Sequence, residues 1–494
     1  MQCTVGRVFT IDDLSDDDLL EIFDFCVFKS QYLDYHFGTD YLEIESWQSL
    51  VHVCRRWRCL VFGSSRRLDL QLYCATKTFS RKSLDVWPAL PLLIEGEFCE
   101  SSVDNVIAGL ELSDRIRQIN LNYSQSHIDS IGQIERLWTA MQVPLPELTR
   151  LYLSFQDLMY ESWLVLPDSF LGGSAPRLRF LALTSIQFPG LLKLLSSATH
   201  LVKLYLYDIP RSGSGYISPE AMVTSLSMLT SLETLQLGFQ PPRLLQYFPN
   251  LESRRPFPPT RSVLPTLAKF LFKGTNEYLE EIVARIDTPR LYQLEITLYN
   301  DIDSDFNTPE LSQFIGRTPT LGAYDEAHLS FGSCRALVKL RRSHPELSGH
   351  RIEIVCHVVS DQQIAALKKI CNLSLRLLLT MENLYINRFL HSPYGWDVWE
   401  DYSENPKMLD LLLPFAAVKN LYVSRLYLPR IACALQELTG ARTTEALPAL
   451  QNVFLEQIQP WEPVYEGIPQ FIAARQLTDH PVTIICRNLE WDQS

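Results

Sequence analysis

Leu201–Val202–Lys203–Leu204–Tyr205–Leu206 carries leucine at its first, fourth and sixth positions. In a β-strand, residues two apart lie on the same face of the sheet, so the last two leucines share one face. The stretch therefore predicts a short strand whose leucines enter a core, while Lys203 and Tyr205 face outward.

The same spacing of large apolar residues recurs along most of the chain, in copies that begin at Ile116, Leu148, Leu178, Leu201, Leu232, Leu267, Leu291, Met381, Val418 and Leu450. Copies between Ile116 and Leu291 follow one another after 23 to 35 residues, whereas regular leucine-rich repeats step by about 20 to 29. Each strand would return to the next through a helix or a turn. The pattern predicts an α/β fold, an irregular leucine-rich-repeat solenoid of parallel strands with helices, over residues 65–494.

Parts of this array are more sharply defined than others. Gly190–Ala198 and Pro219–Met228 have helical patterns, and Gly467–Leu477 followed by Pro481–Cys486 predicts a helix and a strand that close the array. Residues 321–380 show no clear repeat spacing, and the only element predicted there is a strand from Arg351 to Val359. The stretch 391–405 mixes aromatic residues with acids and a proline, which indicates a long loop.

The N-terminal residues 1–64 predict a separate helical module. Ser15 and Asp18 have the spacing of a capping box, and the apolar stripe that follows is typical of an amphipathic helix. A second amphipathic helix is predicted from Ser46 to Val61. Residues 29–45 between the two have no clear period and read as a loop insert. Two short helices with broad apolar faces leave surface that requires a partner.

The segments Leu14–Phe23 and Leu50–Arg58, the second of which reads Leu-Val-His-Val-Cys-Arg-Arg-Trp-Arg, resemble an F-box over residues 11–64. Ser15 stands where the family has proline. The stretches Arg66–Leu70 and Leu84–Pro91 extend the resemblance to fungal F-box/leucine-rich-repeat proteins. The resemblance implies a substrate receptor that docks a Skp-type adaptor, and through it a cullin ubiquitin ligase, by way of Leu14, Leu19, Leu20, Ile22, Phe23, Leu50, Val53, Cys54, Trp57 and Leu60.

The repeats would then present an unknown protein target. The outward positions between the core residues are rich in tyrosine and basic side chains, which suit protein binding. The candidate target-binding residues are Arg150, Tyr152, Lys203, Tyr205, Tyr207, Lys269, Lys273, Tyr385 and Tyr422.

Composition argues against several other classes of protein. The formal net charge of −13 disfavours nucleic acid as a partner. The eleven cysteines form no CxxC pair, which argues against a zinc site or a disulfide scaffold. The N-terminus is acidic and lacks the pattern of a signal peptide, and the apolar runs are too short to cross a bilayer. We therefore predict a cytoplasmic or nuclear protein that does not contact a membrane.

No catalytic motif supports an enzyme, and we expect no cofactor. Asp325–His328 spells the Asp-Glu-Ala-His of a helicase, but the chain lacks the Gly-Lys dipeptide of a phosphate-binding loop. A turn that starts a helix is the expected structure there. Two alternatives to the ligase receptor remain: an F-box protein with a role outside degradation, and a stand-alone repeat scaffold whose first 64 residues only cap the array.

Overall fold

The structure, a computed structural model, describes residues 10–27, 47–76, 84, 86–98, 102–124, 131–156, 164–209, 216–241, 260–299, 308–322, 324–332, 335–343, 351–357, 363–373, 375–388, 408–438, 442–456 and 467–487. The chain divides into two compact units, Met1–Leu201 and Val202–Ser494. Both are mixed α/β, and the helical module lies within the first. The predicted insert at 29–45 and the predicted loop at 391–405 lie outside the described residues.

The first unit starts with three short helices, α1 (Asp16–Cys26), α2 (Trp47–Val51) and α3 (Arg55–Gly63). Its later helices are α4 (Val103–Leu110), α5 (Ile131–Ala140) and α6 (Leu191–Ser197). Its strands are β1 (Leu72–Ala75), β2 (Leu92–Phe98), β3 (Ile116–Ser124), β4 (Arg150–Gln156), β5 (Leu164–Val165), β6 (Phe180–Thr184) and β7 (Ile186–Gln187). Strands β1, β2, β3, β4 and β6 pair in that order, all parallel, and β5 pairs with β7.

The second unit repeats this organisation with strands β8 (Lys203–Ile209), β9 (Thr234–Phe239), β10 (Ser262–Val263), β11 (Lys269–Gly274), β12 (Ile286–Asp287), β13 (Gln293–Tyr299), β14 (Glu326–Phe331), β15 (Arg335–Arg341), β16 (Arg351–His357), β17 (Asn383–Arg388), β18 (Asn420–Ser424), β19 (Asn452–Glu456) and β20 (Thr483–Arg487). Its helices are α7 (Pro219–Leu226), α8 (Asn276–Val283), α9 (Pro309–Arg317), α10 (Gln363–Leu373), α11 (Leu375–Leu378), α12 (Met408–Leu412), α13 (Leu428–Gln436) and α14 (Gly467–Leu477).

The core consists of ladders of equivalent residues from successive repeats. Leu151 of β4 pairs with Ile119 on one side and with Leu181 on the other, and all three are fully buried. In the second unit, Leu421 of β18 lies between Leu384 and Val453 in the same way. The fourth and sixth positions of every predicted repeat lie in strands. The strand predictions are therefore confirmed, because period-two apolar residues give each strand one buried face.

Residues 321–380 break the parallel order of the second unit, whose main sheet runs β8-β9-β11-β13-β16-β15-β14-β17-β18-β19-β20. Strand β15 is antiparallel to both β14 and β16, while β16 is parallel to β13 and β14 is parallel to β17. Only three residues, 332–334, connect β14 to β15, and a parallel crossover needs a dozen or more. The short connections therefore force an antiparallel meander between two parallel halves.

Candidate functional site

Helix α1 begins with the predicted capping box. The backbone N–H of Asp18 donates to Ser15 Oγ at 3.1 Å, and the Ser15 backbone N–H donates to Asp18 Oδ2 at 3.1 Å. These bonds satisfy two of the polar groups that a helix start would otherwise leave open. The hydrogen bonds from Ser15 also hold the pKa of Asp18 below its ordinary value. Ser15 thus provides the helix start at the position where the F-box pattern has proline.

The single helix predicted from Ser46 to Val61 is wrong, because the structure has two helices there, α2 and α3. The chain leaves α2 after Val51, and Cys54 adopts an extended conformation with φ −156° and ψ 171°. Its Sγ accepts from the Trp57 backbone N–H at 3.4 Å, so Cys54 caps α3. The Arg58 Nε–H, in turn, donates to the Val51 carbonyl at 2.9 Å and fixes the corner.

Aromatic side chains of all three helices pack within the module. Phe23 is fully buried and its ring lies 4.7 Å from the ring of Trp57. Trp47 is 1% exposed, and its indole N–H donates to the carbonyl of Gln71 at 3.1 Å, next to β1. The module is therefore fastened to the first strand of its own unit.

Ion pairs hold α1 against the rest of the module. The Arg56 guanidinium donates to Asp16 Oδ1 and to the Leu14 carbonyl, both at 2.7 Å. Arg67 pairs with Glu21 at 2.5 Å. Exposed pairs of this kind contribute roughly 0–1 kcal/mol each. Their main consequence here is orientation, since they tie α1 to Arg56 at the start of α3 and to Arg67 after its end.

The ten predicted adaptor-binding residues separate by exposure. Those exposed are Ile22, Val53 and Cys54; those half-buried are Leu14, Trp57 and Leu60; those buried are Leu19, Leu20, Phe23 and Leu50. Ile22 is 40% and Val53 59% exposed. The buried members support the helices from within and do not face solvent.

Phe25, an apolar residue of α1 that is 89% exposed, is not among the predicted adaptor-binding residues. Exposed large apolar side chains on a small helical module indicate an interaction surface, and we call Ile22, Phe25 and Val53 the apolar surface of the module.

The outward face of the sheet, opposite the buried leucine ladders, carries the predicted target residues. In the first unit the Arg150 guanidinium lies 3.9 Å from the centre of the Phe180 ring, and Tyr152 is only 8% exposed. Beside them Asn120 Nδ2–H donates to Glu95 Oε1 at 2.7 Å. Burial raises the pKa of Glu95 above its ordinary value, despite this hydrogen bond. This part of the face is polar and internally bonded.

The outward face of the second unit starts with a basic zone, defined as Lys203, Lys269 and Lys273. Lys203 and Lys269 both pair in register with Thr234 of β9, which lies between them. Lys273 is exposed and lies 5.6 Å from the centre of the Tyr299 ring. Among the described residues neither Lys269 nor Lys273 has a carboxylate within ion-pair distance. Of the predicted tyrosines here, Tyr205 is 8% exposed and stacks on the half-buried Tyr207 with 6.0 Å between ring centres.

A charge-paired zone follows on β13 to β16, defined as the pairs Glu295–Arg351 and Glu326–Arg341. The Arg351 Nε–H donates to Glu295 Oε1 at 2.7 Å, and the Arg341 Nε–H donates to Glu326 Oε2 at 2.5 Å. Glu326 and Arg341 are directly opposite in the antiparallel pair. Burial acts to raise the pKa of Glu326, but the neighbouring His328, whose Nε2 lies 3.7 Å from Oε2, and the hydrogen bond from Arg341 outweigh it and hold that pKa below its ordinary value.

The aromatic zone lies on β17 to β19 and consists of Tyr385, Tyr422 and Phe454, one from each strand. Their rings stack at 4.2 and 4.5 Å with interplanar angles of 8°. His328 of β14 extends the stack, 4.3 Å from Tyr385. An amide ladder runs alongside, since Asn420 Nδ2–H donates to Asn383 at 2.9 Å and Asn452 Nδ2–H donates to Asn420 at 2.8 Å. The sequence predicted the two tyrosines of this zone as target-binding residues. It did not predict His328, Phe454 or the asparagines, because their places beside the tyrosines depend on the register between strands.

Asp325 directly precedes strand β14 and Glu326–His328 begin it, so the predicted turn and helix start is wrong. Glu326 is bound by Arg341, and the Asp325 carboxylate accepts from the Ser343 backbone N–H at 2.8 Å. Over the described ranges, no group of three His, Cys, Asp or Glu side chains could hold a metal ion. Within the same ranges, no helix is long and apolar enough to span a bilayer.

Comparison with known proteins found no matching protein-family model and no matching curated protein.

Proposed function

We propose that this protein is the substrate receptor of a Skp–cullin–F-box ubiquitin ligase and acts in the cytoplasm or nucleus. The helical module docks the Skp-type adaptor, and the outward face of a leucine-rich-repeat array binds a protein target. The chain itself performs no catalysis. It brings the target close to the ubiquitin donor, which raises the rate through proximity.

The observation that carries the proposal is the surface of the F-box-like module. Phe23 is buried against the half-buried Trp57, while Ile22, Phe25 and Val53 are exposed. A partner that buries them gains roughly 25 cal/mol per Å² of apolar surface. Helices that present an apolar face to a groove on a partner are a recurrent mode of recognition.

The array supports the second half of the proposal. Successive parallel strands place one outward row of side chains on a continuous surface, and that row contains tyrosines, which are enriched at protein interfaces. The leucine ladders fix each outward residue in register with its neighbours. The face is thus an ordered row of side chains suited to a protein ligand.

The test is co-expression of the full chain with a Skp-type adaptor and measurement of the complex by affinity purification and size-exclusion chromatography. Val53→Glu places a charge in the apolar surface and should weaken the complex about ten-fold or more. Val263→Glu is the matched control, because Val263 lies in the second unit and is 55% exposed, close to the 59% of Val53. A full chain that is folded but does not bind the adaptor refutes the ligase role and leaves a repeat scaffold.

A complex with the adaptor does not by itself establish degradation. Target proteins captured by the outward face should accumulate when the protein is deleted if it is a ligase receptor. Unchanged target levels, with the adaptor complex intact, would favour an F-box protein with a role outside degradation.

A further inference from the structure

The outward face of the second unit changes in charge from one end to the other. The basic zone on β8 and β11 is followed by the charge-paired zone on β13 to β16 and then by the aromatic zone on β17 to β19. The outward positions of these last strands are Asn383, Tyr385, Asn387, Asn420, Tyr422, Ser424, Asn452, Phe454 and Glu456. Glu456, the one charged group among them, is 8% exposed. Three chemically different surfaces therefore lie in sequence on one sheet.

We propose that this face binds a two-part protein segment, with acidic residues over the basic zone and an uncharged, apolar block over the aromatic zone. The proposal rests on the proposed function only in that it takes this face as the target-binding surface. It names the class of target, which neither the leucine pattern nor the module determines.

Charge complementarity selects the acidic half of the segment. The whole chain carries a net charge of −13, so a surface with three lysines is opposite in sign to the molecule that bears it. The arginines of the charge-paired zone are neutralised by Glu295 and Glu326. No carboxylate of the described residues does the same for Lys269 or Lys273. Acidic side chains of a partner would fill that role.

The geometry of the aromatic zone selects the uncharged half. Because the rings stack across neighbouring strands, their faces cover one another and their edges stand upright from the sheet. The asparagine ladder beside them consumes amide donors and acceptors internally. An acidic side chain placed here would lose water and meet no lysine or arginine among these outward residues, which is costly. Uncharged side chains avoid this cost when they contact the ring edges.

The strand order fixes the separation between the two blocks. From Lys269 on β11 to Tyr422 on β18 there are six strand-to-strand steps, or roughly 29 Å at about 4.8 Å each. An extended chain covers about 3.3 Å per residue, so about nine residues should separate the acidic block from the apolar block. The spacer crosses the charge-paired zone, where Glu295 and Glu326 already have arginine partners.

The test uses the purified full chain without the adaptor and a fluorescent synthetic peptide of four glutamates, nine alternating glycines and serines, and the block Phe-Pro-Leu-Phe. Fluorescence anisotropy should show saturable binding that weakens as salt is raised. A peptide with lysines in place of the glutamates should bind at least about ten-fold more weakly. So should one with a two-residue spacer, which puts the last glutamate only about 10 Å from the first phenylalanine. Equal binding of all three peptides, or no binding by the first, overturns the proposal.

Variants locate the binding on this face. Lys273→Glu should weaken the first peptide roughly five-fold, whereas Lys369→Glu, the same charge change on an exposed lysine of helix α10, should have less than about a two-fold effect. Tyr422→Ala should remove the advantage of the apolar block, and Lys273→Glu keeps the test valid if that variant does not fold. Equal effects of Lys273→Glu and Lys369→Glu contradict the proposed site. Because the adaptor is absent, failure here is independent of failure of the docking role.

Discussion

The ring of Tyr385 lies 4.2 Å from the ring of Tyr422, and their planes differ by only 8°. This relationship joins two residues 37 positions apart that occupy equivalent places in consecutive repeats and pair in register. It therefore connects the repeat in the sequence to the surface that the repeat builds. The rings stabilise the sheet, and they also form the aromatic zone of the candidate target site.

Loss of the central ring should destabilise the second unit. Tyr422 stacks on Tyr385 and on Phe454, so Tyr422→Leu removes two ring contacts and should lower the free energy of unfolding by about 1–3 kcal/mol. Tyr422→Phe keeps the rings and should change it by less than about 1 kcal/mol. Urea denaturation followed by circular dichroism measures both. Equal losses for the two variants would mean that ring stacking is not the source of the stability.

Acid should destabilise the protein through His328. The imidazole is 8% exposed, and burial lowers its pKa below the ordinary value. Arg341 and Lys339 act in the same direction, while Glu326, whose Oε2 lies 3.7 Å from Nε2, opposes them. Since the unfolded chain binds the proton more tightly, this stability is complete above the unfolded pKa of about 6.5 and is lost as pH falls toward the folded pKa.

His328→Gln should therefore show a smaller drop in melting temperature between pH 7 and pH 5 than the wild type. His480→Gln is the control, because His480 is exposed, and it should retain the wild-type pH dependence. The Glu326 carboxylate does not confuse this window, since its pKa is held below the ordinary value. A wild-type pH profile in His328→Gln would refute the assignment.

The Glu326–Arg341 pair should be strongly coupled. Arg341→Met leaves the buried carboxylate of Glu326 without its hydrogen-bond donor, whereas the double variant Glu326→Gln/Arg341→Met removes that charge as well. The single variant should therefore be less stable at pH 7 than the double variant, as for other buried ion pairs that lose one partner. Chemical denaturation of both variants gives the comparison. A double variant less stable than the single one would show that the carboxylate needs no partner.

The cap of α1 should be sensitive to Ser15. Ser15→Ala removes the acceptor for the Asp18 backbone N–H and should destabilise the helix by about 1 kcal/mol. Hydrogen exchange measured by mass spectrometry should become faster over residues 16–26, with little change in the second unit. Ser15→Thr keeps the hydroxyl and should exchange like the wild type. Unchanged exchange in Ser15→Ala would show that the cap does not hold the helix.

Much of the fold could be predicted because its signal is local. Leu204 and Leu206 are two residues apart, and a strand requires that spacing to place both in a core. Ser15 and Asp18 are three apart, which suffices for a helix cap. Each prediction depended on neighbours in sequence, so no knowledge of distant contacts was needed.

What could not be predicted depended on contacts between distant residues. The meander at β14 to β16 has strands of ordinary composition, and its reversal is fixed by connection length and by pairs such as Glu326 with Arg341. The break at Cys54 was hidden because the apolar spacing continues through it. Phe23 belongs to the same apolar stripe as Ile22, yet only the packing against Trp57 decides that one is buried and the other exposed.

The most direct test of the docking role is hydrogen exchange of the full chain with and without a Skp-type adaptor. We expect slower exchange on adaptor binding over residues 16–26 and 51–63, which carry Ile22, Phe25 and Val53, and no change over β17 to β19. Protection confined to the strands of the second unit, or no protection at saturating adaptor, would contradict it.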